Sequence, residues 1–84
     1  MGKPQLPRLE AGKRYFMRTD FASTGVRSLA YDNGAHTLDV EYPSGERYRY
    51  LGVPGEEFLA LFAADSIGAR VNTHIKPNYP FEKL

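Results

Sequence analysis

Residues 37–51 read Thr-Leu-Asp-Val-Glu-Tyr-Pro-Ser-Gly-Glu-Arg-Tyr-Arg-Tyr-Leu. Leu38, Val40 and Tyr42 alternate with Thr37, Asp39 and Glu41, and Tyr48 and Tyr50 alternate with Arg47 and Arg49. Alternation at period two, rich in aromatic and β-branched residues, marks two half-buried strands. Between them Pro43 presets φ for the first turn position and Gly45 suits the left-handed conformation, a combination that predicts a three-residue loop with a bulge. That loop length sets the register. If Tyr42 faces Glu46, Val40 faces Tyr48 and Leu38 faces Tyr50, while Glu41 meets Arg47 and Asp39 meets Arg49 on the other face. An apolar ladder and a charge-paired ladder arise together, and a one-residue slip would break both.

Upstream, Val26-Arg27-Ser28-Leu29-Ala30-Tyr31 reads as a further strand. Its buried face is open: Leu29 and Tyr31 share one side, and Val26, Ser28 and Ala30 the other. Small Ala30 would allow close approach of a helix, and a bulge would serve both faces. Asp32-Asn33-Gly34 signals a turn, since Asn and Gly tolerate positive φ. Downstream, Leu51-Gly52-Val53-Pro54 stops the sheet, and Pro54 with Glu56 and Glu57 suits the first turn of a helix. Phe58, Leu61 and Phe62 follow at helical spacing to about Ala64. Asp65-Ser66 offers N-cap side chains for a second helix with Ile67, Val71 and Ile75 on its buried edge. Gly68 weakens its first turn and suits close packing, and Lys76-Pro77 ends it. Tyr79 and Phe81 follow in an extended tail expected to lie back on the core. The predicted fold is α+β: a three-stranded antiparallel meander packed on one face by two short C-terminal helices.

At 84 residues the chain has the length of one small domain. Residues 1–21, with Pro4, Pro7, Gly2 and Gly12 and no sustained period, read as a flexible basic arm; residues 22–81 form the domain and 82–84 a short tail. Five basic residues stand against two acidic ones in residues 1–25, and six against eight in the remainder. The folded part is thus slightly acidic and lacks the dense basic face usual in nucleic-acid binders. There is no cysteine, which removes disulfides, thiolate metal sites and thiol catalysis and fits a cytoplasmic bacterial protein. No apolar run is long enough for a membrane helix, and no apolar segment follows the basic N-terminal residues as a secretory signal would require.

The ordered set Ser28-Leu29-Ala30-Tyr31-Asp32, Thr37-Leu38-Asp39-Val40, Gly45 through Tyr50, Val53-Pro54, Ser66-Ile67-Gly68, Asn72, Ile75-Lys76 and Tyr79 resembles the KTSC domain. This is a family of short bacterial proteins, also found at the C-terminus of some lysyl-tRNA synthetases. Its hallmark is a Tyr-x-Tyr motif, here Tyr48-Arg49-Tyr50, and the similarity runs over about residues 19–79. Ala30 stands where the family often has glycine. The resemblance implies no catalytic residues; the synthetase connection has suggested RNA binding.

Tyr48 and Tyr50 carry two readings. They could stack bases, as sheet aromatics do in single-strand RNA binders, or they pack the core with Leu38 and Val40; packing is favoured, and a buried ring with its hydroxyl at the surface combines the two. Arg47 and Arg49 face Glu41 and Asp39, so that ladder reads as a solvated sheet face. Arg70, Asn72, His74 and Lys76 form the better polar cluster, with Arg70, His74 and Lys76 available to phosphates and Asn72 favoured as a backbone bridge near Tyr79. His36 and His74 lie far apart without metal-ligand spacing, no serine elbow or glycine-rich phosphate loop is present, and Glu56-Glu57 face different ways. No metal, cofactor or catalytic role is expected. The expected protein is a monomeric, non-catalytic module that binds RNA or an RNA-associated protein through Arg70, His74 and Lys76, with Tyr48, Tyr50 and the arm assisting. The alternative is a protein-interaction module without nucleic-acid affinity, recruiting a partner strand through an edge such as the first strand.

Overall fold

The computed structural model describes residues 8–19 and 25–84. Five strands, β1 (Arg14–Arg18), β2 (Ser28–Asp32), β3 (Thr37–Glu41), β4 (Arg47–Leu51) and β5 (Phe81–Lys83), form one antiparallel sheet in chain order. Helix α1 (Gly55–Ala63) and α2 (Ile67–Arg70) lie between β4 and β5 in the chain, and α2 runs on into a π-helical turn, Val71–Ile75.

The register of the β3–β4 hairpin is the one its alternation dictates: Leu38 pairs with Tyr50, Asp39 with Arg49, Val40 with Tyr48 and Glu41 with Arg47. The turn closes through Gly45 N–H donating to the Tyr42 carbonyl and Tyr42 N–H to the Glu46 carbonyl, both at 2.9 Å. Gly45 sits at φ +92°, as the bulged loop requires. In β2, Leu29 pairs with Val40 and Tyr31 with Leu38. This settles the open face of that strand: Leu29 and Tyr31 are buried with the β3–β4 apolar ladder, and Ser28, Ala30 and Asp32 point away. Asp32 takes the N–H groups of Gly34 and Ala35 on its Oδ1, at 2.8 and 3.0 Å, and so shapes the β2–β3 turn.

The expected three-stranded meander is corrected to five strands. Arg14–Arg18 is a strand, not part of an unstructured arm: its Tyr15 and Met17 lean on the core while Arg14, Phe16 and Arg18 face out. The consecutive Tyr15-Phe16-Met17 hides this alternation. Residues 1–7 and 20–21 of the expected arm, and Ser23-Thr24 before the first expected strand, lie outside the described residues. At the other end Phe81–Lys83 is β5, held by pairing with β4 and by Leu51 N–H to the Pro80 carbonyl and Leu84 N–H to the Arg47 carbonyl. Because β1 pairs with β2, the strand expected at the edge lies inside the sheet, and the edges belong to β1 and β5.

One face of the sheet carries the core: Leu29, Tyr31, Leu38, Val40 and Tyr50 pack under Phe58 and Leu61 of α1 and Ile67, Val71 and Ile75 of the second helix. The Tyr31 ring stacks on Phe58 at 4.9 Å, and its hydroxyl donates to the Val53 carbonyl at 2.7 Å, pinning the β4–α1 loop. Ser66 caps α2 by accepting from Ala69 N–H, as expected. Ile67, Val71 and Ile75 recur every four residues, ahead of the turn of about 3.6 residues. The wider π turn, seen in Lys76 N–H donating to the Val71 carbonyl, keeps Ile75 on the buried side. Gly68 is buried against the chain at Gly25. No helix among the described residues is long and apolar enough to cross a membrane.

Candidate functional site

The covered face of the sheet ends in an aromatic rim. The helices cover Tyr50 fully, leaving it 1% exposed. Two residues earlier, Tyr48 is only half-buried, and its ring stacks on Phe81 at 5.1 Å with 17° between planes. Phe81 is 56% exposed. Tyr42 meets Tyr48 edge-on at 5.5 Å, and the Lys76 ammonium lies 5.3 Å from the centre of the Tyr42 ring. The Tyr42 and Tyr50 hydroxyls are 2.9 Å apart. Burial pushes both phenols up, with the shared hydrogen bond adding to the rise at Tyr42. Lys83, beside Tyr48 on the edge strand's partner, is held by Glu46 at 2.7 Å, which lowers the Glu46 carboxyl below its ordinary range.

The residues expected to form a site are therefore divided. Tyr48 and Lys76 come together through Tyr42. Tyr50 belongs to the core and meets the rim from below, through its hydroxyl on Tyr42 and its ring 5.8 Å from that of Phe81. Arg70 turns toward α1, its Nη2 3.6 Å from Glu57 Oε1. His74 is exposed, with Nδ1 2.8 Å from Thr73 Oγ1, while its carbonyl accepts from Asn78. Asn72 is exposed. Phe81 and Tyr42 were not singled out as site residues; a terminal Phe after Pro80 and a Tyr before a turn give no signal of shared position until β5 pairs beside β4.

Among the described residues nothing covers the opposite face of the sheet. Arg14, Phe16 and Arg18 of β1, Ala30 and Asp32 of β2, Thr37, Asp39 and Glu41 of β3 and Arg47 and Arg49 of β4 share it, by the observed register. Arg49 grips Asp39 side-on, Nε to Oδ1 at 2.8 Å and Nη2 to Oδ2 at 2.9 Å, and the pair is expected from the sequence. Arg47 makes no matching pair: Glu41 instead accepts from the Ser28 hydroxyl at 3.0 Å. Arg14 meets Asp32 at 3.3 Å. Backbone N–H groups of Ala35 and Gly34, then Arg14, hold the Asp32 carboxyl below its ordinary range. Phe16, 68% exposed, stands on this face, and beside it a depression of about 370 Å³ opens over Ala30.

A family model described as the KTSC domain matches residues 22–79. An uncharacterized protein of Stutzerimonas stutzeri is 44% identical over 62 residues, which cover 74% of this chain and 87% of that protein. A lysine–tRNA ligase of Nostoc punctiforme is 34% identical over 59 residues, 70% of this chain and 10% of the ligase. In three dimensions a KTSC domain protein of Yersinia pestis, 24% identical, superposes with a TM-score of 0.77 over 86% of this chain and 99% of that one. The hairpin with its Tyr-x-Tyr segment, the two helices over one sheet face and the extent of the match agree: this chain belongs to the KTSC domain family.

Proposed function

We propose that the domain is a small non-catalytic module that binds single-stranded RNA on the aromatic rim. The observation that carries this reading is the Tyr48–Phe81 stack, partly open to solvent, with Tyr42 and the Lys76 ammonium beside it. Bases stack on exposed rings at about 1–3 kcal/mol each, and a nearby cation serves the backbone. His74, exposed one turn or less from Lys76, extends the polar border. An RNA partner also suits a domain that recurs as a tenth of a lysine–tRNA ligase. A non-catalytic role is supported by the engagement of the acids: Asp32, Asp39, Glu46 and Glu57 each hold a backbone or cationic partner.

The test is a proton–nitrogen NMR titration with a mixed short single-stranded RNA at low and then physiological salt. Saturable shifts at Tyr42, Tyr48, Lys76 and Phe81 are expected, reduced by Phe81→Ala with Lys76→Ala. Shifts confined to the first 25 residues and erased by salt would reject the rim. Absence of shifts at either salt would favour a protein partner, for which the open edges of β1 and β5 provide strand-pairing sites.

A further inference from the structure

The depression on the uncovered face has a defined hydrogen-bonding character. Its lining includes Arg14, Phe16, Ala30, Asp32, Thr37, Asp39 and Arg49, with two guanidinium and two carboxylate groups, so it carries no net charge. The carboxylates are engaged: Asp39 by Arg49, and Asp32 by two backbone N–H groups and Arg14. The unfilled capacity lies in donors. Arg49 uses Nε–H and one Nη2–H on Asp39. Of the five guanidinium N–H groups three remain, two of them side by side on the Nη1–Nη2 edge. Among the described residues no further hydrogen bond or ion pair is made to that edge, while Glu82, opposite Arg49 on β5, and Asp32 add negative charge nearby. Asp39, with its side chain 20% exposed and itself part of the lining, fixes the plane of the fork through its two-point contact. Phe16 offers a flat apolar surface at the same rim, and the small side chain of Ala30 leaves the floor open.

A ligand that answers this arrangement is planar, uncharged and presents two adjacent acceptors. Guanine does so with N7 and O6, whereas adenine places an amino group beside N7 and would set donor against donor. A neutral site lacks the excess positive charge that a phosphate would select, and a depression of about 370 Å³ lies at the small end of ligand sites, the scale of one nucleoside. We propose that this depression is a site for one guanine base, with N7 and O6 on the free edge of Arg49 and the ring laid on Phe16. The base comes either from a free nucleoside or from a guanine in an RNA strand; the site does not depend on the aromatic rim, which lies on the other face.

The test is an NMR titration of the full chain with guanosine, inosine and adenosine, followed by oligouridine with and without one central guanine. Guanosine and inosine, which share N7 and O6, are expected to shift Phe16, Ala30, Asp39 and the Arg49 Nε–H, with adenosine at least about tenfold weaker. Saturation by nucleoside identifies the free base as sufficient; saturation by the guanine oligomer alone identifies a base within a strand. Arg49→Lys keeps the charge and loses the fork, and Phe16→Ala removes an exposed ring; each is expected to weaken guanosine or guanine-oligomer binding about tenfold or more while the folded spectrum is kept. Equal binding of adenosine and guanosine, unchanged binding by either variant, or no response of this face to any guanine ligand would overturn the proposal. Phe81→Ala with Lys76→Ala separates the two readings, since it should abolish rim shifts and leave guanosine binding intact.

Discussion

Truncating Tyr50 to alanine is expected to cost the domain about 3–5 kcal/mol, the range for removing a buried aromatic side chain. Tyr50 is 1% exposed, opposes Leu38 across the β3–β4 ladder, and lies 5.8 Å from the Phe81 ring. Its loss leaves a cavity under both helices and strips the Tyr42 hydroxyl of its 2.9 Å partner. A domain of 84 residues has about 4–13 kcal/mol in total, so the variant would retain at most a fraction of it. Tyr50→Phe isolates the hydroxyl: Tyr42 is only half-buried and can turn to water, so a loss of about 1 kcal/mol and a fall in Tm of about 4–8 °C are expected. Urea unfolding followed by circular dichroism measures both, and the alanine variant should lower the midpoint by about 1–5 M. A Tyr50→Ala protein as stable as the parent would refute the assignment of this ring to the core.

Gly45→Ala places a side chain at φ +92° where no neighbouring atom lies within 4 Å, so its cost is backbone strain alone, about 1–2 kcal/mol in thermal unfolding; an unchanged Tm would contradict the bulged turn. Burial raises the phenols of Tyr31, Tyr42 and Tyr50 above their ordinary value of 10.0. The stability this confers is present below pH 10 and is lost as pH rises through the folded values. Tyrosinate absorbance from these three of the six tyrosines should therefore appear together with loss of circular dichroism, and all six titrating in a still-folded domain would reject the packing. Asp32 is lowered from 3.8, chiefly by the Ala35 and Gly34 N–H groups, so its contribution is present above about pH 4 and fades as pH falls through the folded value. The stability gap between the parent and Asp32→Ala should narrow toward acid, and a gap constant with pH would reject the carboxylate as the turn's acceptor.

The β3–β4 register was legible because two independent signals agree. Alternation sets the faces, and Pro43 with Gly45 sets the loop length. The helices were legible from apolar spacing and from Ser66, although the π turn emerges only from the mismatch between a four-residue repeat and the helical period. β1 was obscured because Phe16 is apolar yet faces outward between two half-buried residues, so period two reads as an apolar run. β5 leaves no pattern in burial, since all three of its residues are exposed; backbone pairing with β4, the Phe81 ring against Tyr48 and the Lys83–Glu46 pair hold it instead. The missing edge strands also hid the candidate sites, because Phe81 joins Tyr48, and Phe16 joins Arg49, only across the completed sheet.

The segment Tyr48-Arg49-Tyr50 shows why a short motif alone says little about role. Alternation sends Arg49 to the uncovered face and both tyrosines to the other. Burial then separates the tyrosines, since Tyr50 is enclosed in the core and Tyr48 lies half-buried at its border. Three consecutive residues thus enter three environments: core, aromatic rim and open face. Their substitutions should have separable signatures. Tyr50→Ala acts on unfolding, Tyr48→Ala on binding at the rim, and Arg49→Lys on binding at the depression with the fold retained. An Arg49→Lys protein that loses both stability and rim binding would show that the Asp39 pair transmits strain through β4, and the two faces could not then be treated as independent surfaces.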